Sequence, residues 1–113
     1  MPTQKYLCIH RSQPGKQQQP SPAQMQEMYA AFNAWKENFK GNILDIGSGL
    51  KPGGKILTAS GVTDGPFAEA KEIVGGYMIV SAESYDRAVE VARECPGVMR
   101  PGSSIEIREM AGP

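Results

Sequence analysis

Segment 21–41 constrains the fold most, because it carries both the start signal and the spacing of a long amphipathic helix. Ser21 is a preferred N-cap residue, Pro22 suits the first helical position, and Gln24 completes a capping box. Gly41 stands where a C-terminal cap is expected. The apolar residues at helical spacing are Met25, Met28, Tyr29, Phe32, Trp35 and Phe39. We expect this apolar stripe to pack against a sheet.

A second, shorter helix and several β-forming runs complete the pattern. Ser84 predicts the start of the second helix, and Pro96 with Gly97 predicts its end. Its inward face is expected to consist of Tyr85, Ala88, Val89, Ala92 and Cys95. Strands are predicted at 5–10, 43–46, 55–59, 77–80 and 105–108, with a turn at 61–66.

The order of these elements predicts an α+β fold. The predicted order is strand, helix, two strands with an elaborated hairpin, helix and strand. This is the order of the split βαβ, ferredoxin-like arrangement. Its two helices cover one face of a mainly antiparallel sheet. The other face would remain apolar, and a second copy of the chain is its simplest cover. We therefore expect one domain over residues 1–113 that forms a homodimer.

Composition argues against several classes of partner. Lys and Arg together number 12, as do Asp and Glu, and no basic stripe suggests binding to nucleic acid. No apolar run has the length of a membrane span or of a signal peptide. Cys8 and Cys95 lie far apart without the spacing of a metal or redox site, so we expect reduced core thiols in a cytoplasmic protein without a metal or other cofactor.

Residues 43–49, ILDIGSG, are similar to the first motif of S-adenosylmethionine-dependent methyltransferases. In those enzymes the glycine-rich turn leads directly into a helix of a parallel α/β sheet. Here Pro52, Gly53 and Gly54 oppose a helix, and the chain is short for the full sheet. We interpret the segment as a strand that runs into a hairpin loop.

A second motif, DGPFAEAKE, begins at Asp64 and is followed by GGY at 75–77. Asp-Gly-Pro is turn chemistry, since Asp caps its own turn, Gly permits positive φ and Pro fixes φ. Phe67 would anchor such a turn, and Glu69 and Lys71 would by default belong to a solvated face. A structural turn and a ligand-contacting segment are both open interpretations.

The same residues resemble the DGPF branch of the YCII-related family. The resemblance extends to a KY-led first strand, a proline-started helix, a second helix that ends in Cys-Pro, and a closing SIEIRE strand. It implies a dimeric α+β barrel in which two ferredoxin-like sheets pair around a cleft. Most members of the family have no assigned activity, while related barrels include lyases, isomerases and oxygenases that act on small organic molecules.

One departure from the family pattern bears on chemistry. The wider family carries a His–Asp pair, with the His at the start of the first helix and the Asp just after the second. The matching positions here read PAQM at 22–25 and Cys95-Pro96, so both members of the pair are absent. The chemistry of such relatives therefore does not transfer directly to this chain.

The remaining candidate for proton transfer is His10, the one histidine of the chain. Our hypothesis places it at the cleft as a catalytic group with Asp64, where a nearby carboxylate would raise the His10 pKa. Strand alternation would put Phe67, Glu69 and Lys71 on one side as ligand contacts. The alternative is an ordinary hydrogen-bonded histidine at a strand end.

Two functions are consistent with these residues. One is a small-molecule enzyme, lyase-like or isomerase-like, that uses the cleft of the dimeric barrel. The other is a non-catalytic domain that binds a small organic ligand or serves as an accessory module. The sequence leaves both open, because a fold alone does not determine a function.

Overall fold

The computed structural model describes residues 3–13, 21–51, 53–65, 72–96 and 102–112. The predicted ligand contacts Phe67, Glu69 and Lys71 lie outside these residues. Within them the elements are β1 (Gln4–Ser12), α1 (Pro22–Asn38), β2 (Ile43–Gly49), β3 (Gly54–Thr58), β4 (Gly61–Gly65), β5 (Ile73–Ala82), α2 (Tyr85–Arg93) and β6 (Ser103–Glu109).

Four of the strands form one antiparallel sheet in the order β2-β5-β1-β6. Since β1 and β2 both run antiparallel to β5, they are parallel to each other with β5 inserted between them. This is the split βαβ connection of a ferredoxin-like fold. The predicted α+β, ferredoxin-like fold is confirmed.

A separate two-stranded sheet joins β3 to β4. The prediction of a turn over 61–66 is wrong, because residues 61–65 pair with β3 as a strand. Gly61 has φ of 141°, a conformation open mainly to glycine, and this places the reversal before β4. Val62 and Thr63 are β-branched and extend readily after it. Asp64 therefore lies in a strand and not in a turn.

The core lies between one face of the four-stranded sheet and the two helices. Alternation along β1 and β5 turns small and apolar side chains toward the helix layer. The buried core residues are Tyr6, Cys8, Trp35, Met78, Val80, Ala82, Ala88, Val91, Ala92 and Cys95. Both cysteines are free thiols. Burial raises the pKa of each thiol to about 11, so both thiols are uncharged at neutral pH. They pack as small apolar groups, as predicted.

Helix α1 begins as the sequence predicts but ends earlier. Ser21 Oγ accepts a hydrogen bond from the Gln24 amide at 3.1 Å, and Gln24 Oε1 accepts one from the Ser21 amide at 2.8 Å. At the other end Phe39 is the C-cap, and its carbonyl accepts hydrogen bonds from the amides of Asn42 and Ile43. Gly41 is therefore not the cap, because this local turn ends the helix without a positive φ.

Helix α2 begins where Ser84 Oγ accepts a hydrogen bond from the Arg87 amide at 3.2 Å. Its inward face differs from the prediction at three positions. Val91 is fully buried in the core, whereas Val89 is half-buried. The Tyr85 ring is 49% exposed. Its hydroxyl accepts a hydrogen bond from the Glu109 amide at 2.8 Å, so Tyr85 ties the start of α2 to β6.

The two helices are joined in the core by one buried hydrogen bond. The indole Nε1–H of Trp35 donates to the main-chain carbonyl of Val91 at 2.8 Å. Phe32 packs beside this indole, with ring centroids 5.5 Å apart. The bond fixes the last turn of α1 over the second half of α2.

The segment similar to the methyltransferase motif forms β2. Gly47 has φ of 69°, and a Cβ atom there would overlap the carbonyl of Tyr77 on β5. The glycine is thus required by close contact between neighbouring strands. In the described chain after Gly49, residues 50, 51 and 53 are irregular and β3 follows, so the interpretation as a strand that leads into a hairpin is confirmed.

None of the helices in the described ranges is long and apolar enough to cross a lipid bilayer.

The Trp35–Val91 bond predicts a specific loss of stability. The substitution Trp35→Phe keeps an aromatic ring but leaves the buried carbonyl of Val91 without this donor, which should lower the free energy of unfolding by about 1–3 kcal/mol. Urea denaturation measures the change. Tyr29→Phe, on an exposed ring of the same helix, should change it by less than about 0.5 kcal/mol. Equal effects of the two substitutions would contradict this role for Trp35.

Candidate functional site

The apolar stripe of α1 is covered over only part of its length. Trp35 is buried, and Phe32 and Phe39 pack partly buried against the core. Toward the start of the helix, Met25 is 42% exposed and Tyr29 is 63% exposed. The prediction that the whole stripe packs in the core is wrong for this first part of the helix.

The reason is a mismatch in helix length. Helix α1 has 17 residues and α2 has nine. At 1.5 Å per residue, α1 is longer by about 12 Å, more than two turns. Because Trp35 holds the last turn of α1 against α2, the first turns of α1 extend beyond the cover that α2 provides. An apolar face remains exposed there.

A groove of about 280 Å³ lies at this end of the helix layer. We call it the helix groove, and its described wall consists of Met25, Met28, Tyr29, Phe32 and Pro96. Every one of these side chains is apolar or aromatic, and the Tyr29 hydroxyl is the one polar side-chain group among them. The groove therefore suits an apolar molecule.

The helix groove lies where the resemblance places the His–Asp pair of the wider family. Its walls come from the beginning of the first helix and from Pro96, just after the second helix. This chain has Met25 and Pro96 in those regions, and neither acts as an acid or a base. The described wall of the groove therefore carries no acid–base pair.

His10 lies at the same end of the molecule, on β1. It occupies the face that carries Tyr6 and Cys8, and it stands opposite Ile105, which packs against the core. The imidazole therefore points into the helix layer. Ser12 pairs with Ser103, so β1 ends beside the start of β6, and the chain enters α1 and leaves α2 at this end of the sheet.

The imidazole of His10 carries a buried atom without a partner. Nε2 is shielded from solvent and makes no hydrogen bond. The residues opposite His10 in the sheet are Gly76, which has no side chain, and Ile105, which has a hydrocarbon side chain. An unsatisfied buried polar group typically costs about 1–3 kcal/mol, and in a native structure it calls for a physical explanation.

Burial also sets the charge of His10. It lowers the His10 pKa below its ordinary value, because the charged imidazolium would lose its hydration in the helix layer. The expectation that a nearby carboxylate raises this pKa is wrong, since desolvation is the cause that acts on His10. The imidazole is therefore neutral at pH 7.

Asp64 lies on β4 and is exposed. Its carboxylate pairs with the Lys55 ammonium at 2.5 Å, and 88% of its side chain is accessible to solvent. No hydrogen bond or ion pair among the described residues joins Asp64 to His10. The structure does not bring these two together, and their catalytic roles remain predictions of the sequence.

A second cavity, of about 380 Å³, lies between the β3–β4 hairpin and the end of the main sheet. Its described wall consists of Leu50, Lys51, Gly53, Gly54, Lys55, Ile56, Gly65, Ile73 and Val74. Of its two lysines, Lys55 is paired with Asp64. In the part of the chain that is described, no cluster of three His, Cys, Asp or Glu residues could hold a metal ion at this cavity or elsewhere.

Comparison with known proteins identifies the family. The model of the YCII-related domain matches residues 4–111, which is nearly the whole chain. The chain belongs to the YCII-related family. The match does not distinguish the DGPF branch, so that assignment remains a prediction based on residues 64–72.

One curated relative is also similar. An uncharacterized protein of Rhizobium meliloti (strain 1021) is 38% identical over 50 residues, which cover 44% of this chain. The match spans 40% of that relative's length. It agrees with membership in a family of small proteins without an assigned activity.

Sequence reasoning missed the helix groove because it assigned the whole stripe to the core. The signal was present in the unequal lengths of the two predicted helices, 21–41 and 84–95. A shorter helix cannot cover a longer neighbour along its whole apolar face. Met25 and Tyr29, one turn apart at the far end of the stripe, are the residues that this argument leaves exposed.

The lowered pKa of His10 predicts a loss of stability in acid. Below pH 6.5 an unfolded histidine takes up a proton, while the folded chain resists protonation until its lower pKa is reached. The contribution of His10 to the free energy of unfolding is therefore complete above pH 6.5, and it is lost as the pH falls below this value. We expect the free energy of unfolding in urea to fall less between pH 7.5 and pH 5 in His10→Leu than in the wild type, because the variant lacks the histidine that takes up a proton. An identical acid loss in both proteins would contradict the burial of His10.

Proposed function

We propose that this YCII-related protein binds a small apolar organic molecule, of about the size of a substituted benzene, in the helix groove. The observation that supports the proposal is the exposed apolar wall formed by Met25 and Tyr29 at the place where the family carries its His–Asp pair. Covering these side chains with a ligand removes apolar surface from water, which is favourable.

The size and chemistry of the groove support this class of ligand. An apolar cavity of about 150 Å³ is sufficient for benzene. The helix groove, with about 280 Å³, accommodates a ring with a short substituent. Phe32 and Tyr29 offer ring faces for stacking, and the flexible Met25 and Met28 adapt to irregular shapes.

The described wall favours binding over catalysis. It contains no carboxylate, imidazole, thiol or amine, so it has no group that would exchange a proton with a ligand near pH 7. The alternative that the sequence left open, a non-catalytic ligand-binding domain, is therefore the function we propose. Free thiols at Cys8 and Cys95 support a reducing, cytoplasmic setting for it.

Ethylbenzene is a suitable first probe for the helix groove. We expect a dissociation constant on the order of 0.1–1 mM by NMR titration, since small ligands gain at most about 1.5 kcal/mol per heavy atom and an open groove gives less. Tyr29→Ala removes one wall and should weaken binding at least about fivefold. Leu50→Ala, at the second cavity, should leave it unchanged. Weakening by Leu50→Ala instead of Tyr29→Ala would contradict the groove as the site.

We also propose that the protein is a homodimer through the open face of the main sheet. Register places Leu7 opposite Ile79 and Ile9 opposite Tyr77 on the face away from the helices. Tyr77 is 38% exposed, and this apolar square has no helix over it in the described structure. A second copy would cover it, as the family resemblance implies.

Light scattering tests the homodimer. At micromolar concentration we expect twice the monomer mass of 12.2 kDa. Tyr77→Lys places a charge on the apolar square and should shift the protein toward monomer. Leu57→Lys, on a side chain of the hairpin that is 78% exposed, should leave the dimer intact. A wild-type protein that scatters as a monomer would contradict the proposal.

A further inference from the structure

We infer that His10 provides the polar contact for a hydroxyl group on the ligand of the helix groove, which makes the ligand class a small phenol or a comparable apolar alcohol. This inference rests on the proposed function, since it adds a polar anchor to the same site. The observations that carry it are the buried, unpartnered Nε2 of His10 and its position at the groove end of the sheet.

The first observation is the unpartnered nitrogen of His10. Buried side-chain polar atoms in native proteins almost always have a hydrogen-bond partner in the protein, in water or in a ligand. In the described chain His10 Nε2 is the one buried side-chain nitrogen or oxygen without a partner. Such an outlier, among described residues whose other buried side-chain groups have partners, is consistent with a bound ligand as the partner.

The second observation is the position of His10. It faces the helix layer at the end of β1, where α1 begins and α2 has ended. Met25, Met28 and Pro96 border the groove at this same end. A bulge interrupts the β1–β5 register between His10 and Arg11, and bulges of this kind are common beside binding sites, where they redirect side chains.

Access to Nε2 requires a movement of side chains, because the imidazole does not border the groove itself. Met28 is a half-buried part of the groove wall, and Phe32 packs against the core that contains Cys8, two residues before His10. Methionine has three side-chain torsions and repacks readily around ligands. Displacement of the Met28 thioether would open the way from the groove to the sheet.

The chemistry of a neutral imidazole selects a hydroxyl. Nε2 accepts a hydrogen bond in one tautomer and donates one in the other, and a hydroxyl group does both, so it matches either tautomer. A carboxylate or phosphate would be an unpaired charge among Met25, Phe32 and Pro96, and its desolvation would oppose binding. One hydroxyl on an apolar body satisfies both the groove and the nitrogen.

A matched pair of probes, 4-ethylphenol and ethylbenzene, tests the contact. In wild-type protein we expect 4-ethylphenol to bind about tenfold more tightly, by NMR titration, because it gains a hydrogen bond to a buried group. In His10→Leu the preference should reverse, since the phenol hydroxyl loses its hydration without gaining a partner. The affinity for ethylbenzene should stay within about twofold.

Tyr29→Phe is the matched control, because Tyr29 has the one polar side-chain group on the described wall. It should leave the tenfold preference for 4-ethylphenol intact. His10→Gln retains a donor and an acceptor and should restore part of the preference. Circular dichroism confirms that each variant is folded. In wild-type protein the His10 ring signals should move with 4-ethylphenol and much less with ethylbenzene, which tests the contact without any substitution.

The outcomes separate the inference from the proposed function. If both probes bind and the preference persists in His10→Leu, or the ring signals of His10 do not respond to 4-ethylphenol, the inference is overturned and the apolar site stands. Loss of the preference in Tyr29→Phe alone assigns the hydroxyl to Tyr29 and likewise overturns it. If neither probe binds the wild type, the proposed function fails and the inference fails with it.

Discussion

The hydrogen bond from the Trp35 indole to the Val91 carbonyl determines how the helix layer lies on the sheet. It is buried, it is 2.8 Å long, and it connects residues 56 positions apart. Because it joins the last turn of α1 to α2, it decides which part of the apolar stripe enters the core. Phe32 and Phe39 lie before and after Trp35 in the chain, and both are partly buried against the core. Met25 lies in the first turn of α1, far from this bond, and is exposed.

The helix groove follows from this contact and from the unequal lengths of the helices. Helices of equal length would close over the sheet end that carries His10. With α1 at 17 residues and α2 at nine, the gap remains open and apolar at the place where the wider family holds an acid–base pair. The binding function that we propose for the groove does not need that pair, and one fold commonly serves several functions.

Local chemistry was sufficient to predict much of the fold. The capping box of Ser21 and Gln24 and the cap at Ser84 depend on neighbours in sequence, and both were predicted correctly. The strand at 61–65 was missed because its pairing with β3 outweighs the local preference for a turn in the residues around Asp64. The environment of His10 could not be predicted, since it depends on which strands and helices meet at one end of the sheet.

The most direct test of the helix groove is a titration of methyl-labelled methionines with ethylbenzene, followed by carbon–proton NMR. The account predicts that the methyl signals of Met25 and Met28 move saturably and together, because these side chains form the wall. The signals of Met78 and Met110 should stay in place. Met78 is buried in the core, and Met110 directly follows β6, at the end of the strand away from the groove. Saturable shifts at Met78 or Met110 with Met25 and Met28 unmoved would contradict the groove as the ligand site.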